Sequence, residues 1–142
     1  MSVIVGIDFG ESRIGVAISD ELKKISFPLG VIQREQGSYS LKRLKKLLDD
    51  REIESFLIGL PVRSDGTLGV QGEKVDSYSA ALKDYFQKEV FTWDERFTTV
   101  IATNALREGS TGEKKGRKVV DKIAAQLILQ SYLDSRNQEQ PI

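Results

Sequence analysis

The chain has 142 residues with no cysteine and no histidine, and its 21 basic and 21 acidic side chains give a formal net charge of zero. Without these two residue types, disulfides, thiolate metal sites, histidine-ligated zinc and a histidine general base are all excluded. Any metal ion must be held by oxygen ligands, which favours Mg²⁺ or Mn²⁺. The length suits one compact domain, predicted over residues 1–136, with a frayed tail at 137–142.

The hydropathy and charge patterns predict a cytoplasmic protein that makes no membrane contact. No apolar run approaches the roughly 20 residues that a membrane-spanning helix needs, and the N-terminus has no signal-peptide pattern. Basic residues gather at KKLLDDR (45–51) and at EKKGRK (113–118). Contact with nucleic acid would therefore depend on local clusters, because the bulk charge is balanced.

The first third of the chain predicts three consecutive strands. Residues 3–9 (VIVGIDF) and 13–19 (RIGVAIS) are apolar and β-branched on either side of a short turn, which is typical of a hairpin. Residues 27–33 (FPLGVIQ) form the third strand, and Pro28 lies near its start, where a missing donor is tolerated. Three strands in succession favour an antiparallel meander.

The remaining segments alternate between helices and strands. Helices are predicted over 40–50, 70–88, 98–107 and 118–135, strands over 55–61 and 90–95, and a glycine-punctuated polar loop over 107–118. Strands separated by helices favour parallel pairing through right-handed crossovers. The predicted fold is therefore α/β, with a mixed five-stranded sheet flanked by helices, in which three antiparallel strands precede the parallel crossovers.

Acidic residues interrupt otherwise apolar segments at Asp8, Asp94, Glu95 and Asp121. An unpaired carboxylate is costly in such surroundings. Asp8 and the Asp94–Glu95 pair lie at the carboxyl ends of predicted parallel strands, where the sites of α/β sheets tend to form. Carboxylates gathered from distant segments favour a divalent-metal site and, with it, metal-dependent hydrolysis of a phosphodiester.

Four segments also resemble, in the same order, the motifs of the YqgF (RuvX) family. They are GIDFGESRIGVAISD (6–20), IGLPVRSDGTLGVQGEKV (58–75), WDERFTT (93–99) and KKGRKVVDKIAAQLILQSYLD (114–134). The resemblance implies an RNase H-like fold, similar to that of Holliday junction resolvases. It also implies a nuclease that processes the 5′ end of pre-16S rRNA during ribosome biogenesis, with Asp8, Glu95 and Asp121 as its catalytic and metal-binding set.

This chain departs from the family pattern at Ser12, Arg63 and Val70, all outside the acidic set. Each acidic residue also has a structural alternative. Asp8 would cap the turn after its strand, Glu95 would form a weak surface pair with its neighbour Arg96, and Asp121 would lie favourably in the first turn of a helix. Asp94, the weaker candidate ligand, would cap the helix that follows.

Six basic residues are candidates for holding a nucleic acid. Arg13 and Arg96 suit phosphate because a guanidinium pairs with it bidentately, and their alternative is a salt bridge to the acidic set. Lys114, Lys115, Arg117 and Lys118 lie directly before Asp121, where they would attract a nucleic-acid backbone or form a solvated loop.

Other functions remain open beside rRNA processing. A Holliday junction resolvase acting on four-way DNA junctions should be dimeric, because two symmetric nicks need two sites. A non-catalytic RNA-binding or ribosome-assembly module could use the same scaffold. DFGESRIGVAISD (8–20) also resembles the first phosphate motif of actin-like ATPases, but the chain has no room for a second lobe.

The expected partners follow from these readings. Nucleic acid comes first, with pre-16S rRNA ahead of branched DNA, and ribosomal precursor particles come second. The protein itself is expected to be a monomer or a weak homodimer.

Overall fold

The computed structural model describes residues 2–10, 13–34, 40–60, 69–94 and 114–139. Within these residues five strands and three helices follow one another as β1 (Val3–Phe9), β2 (Arg13–Ser19), β3 (Ser26–Gln33), α1 (Leu41–Leu48), β4 (Ile53–Leu60), α2 (Gly69–Phe86), β5 (Glu89–Asp94) and α3 (Lys114–Glu139). The helix predicted over 98–107 lies outside the described residues. Among those that are described, no helix is both long and apolar enough to cross a membrane.

The strands form a single sheet in the order β3-β2-β1-β4-β5. β2 pairs antiparallel with both β1 and β3, and β4 pairs parallel with both β1 and β5. The predicted mixed sheet, a meander followed by parallel crossovers, is therefore confirmed. β1, β3, β4 and β5 all end at the same side of this sheet, where β2 begins, and we call this side the carboxyl edge. Its residues are Asp8–Phe9 of β1, Arg13 of β2, Gln33 of β3, Gly59–Leu60 of β4 and Trp93–Asp94 of β5.

The two faces of the sheet carry separate cores because the side chains of a strand alternate. On one face, Val5, Ile7 and Phe9 pack with buried residues of α1 and α2. On the other face, Ile4 packs with Leu57 and with buried residues of α3, among them Leu129. The same alternation puts Gly6 and Asp8 on the α3 side of β1.

Helix α3 is held on its face by close packing and by a polar network at the start of β3. A β-carbon built on Gly6 would lie 2.8 Å from Cβ of Leu129, so only glycine allows this approach. The buried backbone N–H of Ser26 donates to Oε1 of Gln130 at 2.8 Å, and its hydroxyl donates to the carbonyl of Gln126 at 3.0 Å. Both contacts fix where α3 lies along the sheet.

Several element boundaries differ from those predicted. β3, β4 and β5 begin at Ser26, Ile53 and Glu89, one or two residues earlier than expected. β3 is an edge strand, and a register shift where Ala17 pairs with Pro28 accommodates the proline.

The largest difference concerns α3, which begins at Lys114 and continues to Glu139. Residues 114–117 were predicted to be loop and 137–139 to be frayed tail, and both are helical. Lysine and arginine are good helix formers, and one glycine inside a helix costs only about 1 kcal/mol. That penalty at Gly116 is too small to end a long helix.

Candidate active site

Asp8 is a buried carboxylate at the carboxyl edge. It lies in β1, the central strand, where it pairs with Gly15 of β2, and only 8% of its surface is exposed. Strands on both sides hydrogen-bond β1, so the backbone that carries this carboxylate is held firmly. Burying a carboxylate costs free energy unless partners compensate for it. A fixed, mostly buried carboxylate at a sheet edge is therefore well suited to a functional role.

The adjacent parallel strands end beside Asp8. The register of β1 with β4 runs through Ile7 and Ile58, and that of β4 with β5 runs through Leu60 and Asp94. Neighbouring strands lie about 4.8 Å apart, so the end of β5 lies about 10 Å from β1. Glu95, the residue directly after β5, lies outside the described residues, as does Arg96.

The backbone of α3 approaches Asp8 from the other side of the same edge. The β-carbon position of Gly6 also lies 3.3 Å from the carbonyl oxygen of Ala125, which fixes the level of the helix on β1. From Gly6 to Asp8 the strand advances about 6.6 Å. From Ala125 back to Asp121 the helix advances about 6 Å in the same direction. For a helix running along the strand, these advances would bring the α3 backbone at Asp121 near the level of Asp8.

Of the predicted acidic set, only the Asp8 side chain lies in the described part of the chain. For Asp121 in α3 and Asp94 in β5, the structure describes the backbone but not the side chain. Among the described residues no three acidic side chains form a group that could hold a metal ion. The proposed grouping of Asp8, Glu95 and Asp121 thus stays a prediction.

The predicted basic residues that the structure describes lie in β2 and in α3. Arg13 opens β2 and is half-buried beside the end of β1. Lys114, Lys115, Arg117 and Lys118 belong to the first turns of α3, and the helix begins about 10 Å before Asp121. The basic segment therefore extends beyond the carboxyl edge as helix, where the prediction had a loop.

The turn between β1 and β2 depends on a residue that the sequence patterns did not single out. The backbone N–H of Gly10 donates to the carbonyl of Arg13 at 2.9 Å, and the Gly10 carbonyl accepts a 2.6 Å hydrogen bond from Nη1 of Arg34. The same guanidinium lies 4.2 Å from the ring centroid of Phe9. Arg34 therefore holds the two residues directly after Asp8.

A topological signal could have identified Arg34. It directly follows β3, and β3 runs parallel to β1 because both pair antiparallel with β2. The end of the third strand in a meander must return to the edge where the first strand ended. An arginine at that point is therefore close to the carboxyl edge.

Trp93 packs against the core on the α3 side of the sheet. Its ring lies edge-on to Tyr132 of α3, with the centroids 5.5 Å apart. Its indole N–H donates to Oγ of Ser131 at 3.3 Å. Trp93 therefore joins the end of β5 to α3, one residue before Asp94.

The residues at this edge are compatible with a hard divalent cation. Asp8 offers oxygen ligands from a rigid strand, and the chain has neither cysteine nor histidine that would draw a softer metal. Mg²⁺ is commonly held by one or two carboxylates together with substrate phosphates. The donor chemistry therefore fits Mg²⁺ or Mn²⁺.

Comparison with known proteins gives consistent matches across the chain. Residues 2–135 match the family model described as RuvX, Holliday junction resolvase. A protein of Clostridium botulinum (strain Hall), provisionally named a pre-16S rRNA nuclease, is 43% identical over 132 residues, covering 93% of this chain and 96% of the relative. A Geobacillus kaustophilus (strain HTA426) protein of the same name is 41% identical over 134 residues, covering 93% and 97%.

The solved structures agree on the fold. T. thermophilus RuvC, in complex with a Holliday junction substrate, superposes with a TM-score of 0.56 at 15% identity and covers 96% of each chain. At this identity the likeness shows the fold alone. The mixed sheet flanked by helices is thus the RNase H-like fold of RuvC-type resolvases, as the sequence predicted.

Proposed function

Because the chain belongs to the RuvX family, we propose that it is a metal-dependent nuclease that processes the 5′ end of pre-16S rRNA in the cytoplasm during ribosome biogenesis. The observation that carries this proposal is the buried Asp8 carboxylate at the carboxyl edge, on the face of β1 that packs against α3. The names of the two bacterial relatives support the choice of substrate.

In this proposal Asp8, Glu95 and Asp121 hold Mg²⁺ or Mn²⁺ through carboxylate oxygens. Divalent ions, when bound, activate the attacking water and stabilise the leaving oxygen of a phosphodiester. Asp8 contributes the ligand with the least freedom to move, because β1 is bonded on both sides. Glu95 and Asp121 complete the set from the segment after β5 and from α3.

The basic residues position the nucleic acid. Arg13, at the start of β2, and Arg96 pair with phosphate oxygens near the cut, since a guanidinium presents two parallel donors. Lys114, Lys115, Arg117 and Lys118 bind the backbone of the strand as it passes the start of α3. Ribosomal precursor particles would present this strand to the site.

Cleavage of four-way DNA junctions is the second candidate. The family description favours it. A resolvase makes two symmetric nicks and so needs two sites in one assembly. An obligate monomer in solution would argue against junction resolution.

The test is a cleavage assay with Mg²⁺ or Mn²⁺ that compares the wild type with Asp8→Asn. One substrate is a single-stranded RNA carrying the pre-16S 5′ leader, and the other is a labelled four-way DNA junction. We expect cleavage of the RNA by the wild type and at least a 100-fold loss in Asp8→Asn. Asp20→Asn is the matched control, because Asp20 lies in the β2–β3 turn at the opposite edge of the sheet.

The other outcomes are equally informative. Symmetric cutting of the junction alone would replace rRNA processing with junction resolution. RNA binding without cleavage of either substrate would identify the non-catalytic binding module instead. Full activity of Asp8→Asn would remove Asp8 from the site.

A further inference from the structure

The short helix α1 carries a concentrated positive charge that the proposed active site does not use. In its eight residues (LKRLKKLL) every charged side chain is basic, and all four of them are exposed: Lys42, Arg43, Lys45 and Lys46. The helix contains no acidic residue, although the whole chain has zero net charge. A charge of +4 on two helical turns is a local departure from the balanced surface.

The leucines of α1 explain its place in the fold, and the lysines have no part in that packing. Leu44 and Leu48 are fully buried in the core on the α1–α2 face, and Leu47 packs beside them. In the described part of the chain, Lys42, Lys45 and Lys46 form no ion pair, whereas Lys23 and Arg136 both pair with Glu54.

The position of Lys42 is unfavourable for the stability of α1. Lys42 lies three and four residues from Lys45 and Lys46, and like charges at these spacings repel. Lys42 also lies in the first turn, where the helix dipole disfavours a cation. Asp49 and Asp50, which could have balanced the charge, come only after the helix has ended. Lys45 and Lys46 lie in the last turn, where the helix dipole favours cations. The three exposed lysines lie close together on one short helix, and this concentration of positive charge suits a ligand of negative charge.

The topology brings α1 to the carboxyl edge. Ser40, directly before the helix, donates its hydroxyl to the carbonyl of Gln33 at 3.0 Å, and Gln33 pairs with Arg13. The first turn of α1 therefore lies at the edge where Asp8 lies. The helix then runs back along β3, because Leu47 packs over Gly30.

Arg34 lies beside the proposed site, at the edge where α1 begins. Its guanidinium is anchored on the Gly10 carbonyl and over the Phe9 ring, next to Asp8. Arg34 thus places a positive charge beside Asp8, and α1 begins at the same edge. The backbone of α3, whose first turns carry the other basic segment, packs on the other face of the sheet.

We propose that the exposed face of α1, formed by Lys42, Lys45 and Lys46, is a second binding surface for the phosphate backbone of the nucleic-acid substrate, away from the cut. This inference rests on the proposed nuclease function. The substrate would pass from the start of α3 over the carboxyl edge and on to α1. This surface would recognise the charge of the phosphate backbone and not the base sequence, since lysines act on phosphate as point charges.

The test measures binding of the single-stranded pre-16S leader RNA in EDTA, so that the RNA stays intact. The full chain carrying Lys42→Gln, Lys45→Gln and Lys46→Gln is compared with the wild type. The matched control carries Lys24→Gln, Lys83→Gln and Lys88→Gln, which remove the same charge from exposed positions outside this surface. Circular dichroism and the unfolding midpoint establish that both variants are folded.

We expect the α1 variant to bind the RNA at least 10-fold more weakly near physiological salt, and the control to stay within twofold of the wild type. The slope of log K against log salt should fall in magnitude by about two, since each phosphate contact on a single strand contributes roughly 0.7.

Equal binding and an equal salt slope in both variants would overturn the role of α1 and leave the nuclease proposal intact. A wild type that binds neither the RNA nor a four-way junction would overturn both proposals. A loss of equal size in the control would show that only overall charge matters, and this too would overturn the proposed surface.

Discussion

Gly6 of β1 and Leu129 of α3 approach each other so closely that a β-carbon on Gly6 would lie 2.8 Å from Cβ of Leu129. This contact sets the height of α3 above the strand that carries Asp8. It also lies about two helical turns from Asp121 and two strand residues from Asp8. The geometry of the site is therefore tied to one glycine outside it.

Replacing Gly6 with alanine should destabilise the protein by about 1–3 kcal/mol, because the new methyl group meets a backbone-near atom that cannot turn aside. Urea denaturation measures this change. Gly30→Ala is the control, since its β-carbon would meet only the flexible end of Leu47, at 3.2 Å. Equal costs for the two variants would contradict the proposed rigidity of the α3 contact.

Mg²⁺ should stabilise the folded protein through Asp8 even in the absence of substrate. At a concentration 100 times its dissociation constant, a ligand adds about 2.7 kcal/mol to the stability of the state that binds it. Thermal unfolding with and without Mg²⁺ measures this gain. We expect the gain in the wild type and in Asp76→Asn, an exposed position on α2, and its loss in Asp8→Asn. A gain that survives in Asp8→Asn would place the ion elsewhere.

Arg34→Met should loosen the β1–β2 turn. The change removes the hydrogen bond to the Gly10 carbonyl and the cation–π contact with Phe9, which together contribute about 1–3 kcal/mol. Chemical denaturation should show this loss, with an intermediate value for Arg34→Lys. Arg51→Met, at an exposed arginine with long contacts of 3.3 and 3.5 Å, should change stability by less than about 0.5 kcal/mol. Equal changes in stability for Arg34→Met and Arg51→Met would contradict the role of Arg34 in holding the β1–β2 turn.

Asp20 should make stability depend on pH in the acid range. Backbone N–H groups of Ile25 and Lys24 donate to its carboxylate and hold its pKa below the ordinary value of 3.8. A folded-state pKa below the unfolded value means that the contribution is complete above 3.8 and is lost as pH falls through the folded-state pKa. The free energies of unfolding of wild type and Asp20→Asn should therefore differ at neutral pH and converge in acid. A difference that is constant with pH would exclude this carboxylate as the cause.

The strands of the sheet could be predicted from the sequence because the residue patterns that indicate each strand are local. β1 and β2 were predicted over the residues that the structure shows, since both are apolar runs on either side of a tight turn. The start of β4 was missed because Glu54 interrupts the apolar run, although Ile53 before it is buried. A single exposed side chain on a strand is compatible with pairing, as the alternation of the two faces requires.

The relation between distant segments was harder to predict. The sequence did not predict the extension of α3 to Lys114, because Gly116 suggested a loop. It also did not predict the contact of Arg34 with the β1–β2 turn, because that contact depends on the direction of β3. The acidic candidates were predicted from residues that break apolar segments and from the family resemblance, and their grouping, which depends on how α3 docks, stays a prediction. That docking is set by Gly6 and by the Ser26–Gln130 contact, which no single segment reveals.

Trp93 is the only tryptophan in the chain. Its side chain extends from β5 to α3, where it contacts Tyr132 and Ser131. Indole fluorescence responds to its surroundings, so the intrinsic emission of this protein comes from one known position beside the carboxyl edge. The emission therefore follows the docking of α3 on β5 without an added label. A change in emission when Mg²⁺ or RNA is added would arise at this junction, and its time course would give the rate at which the site assembles.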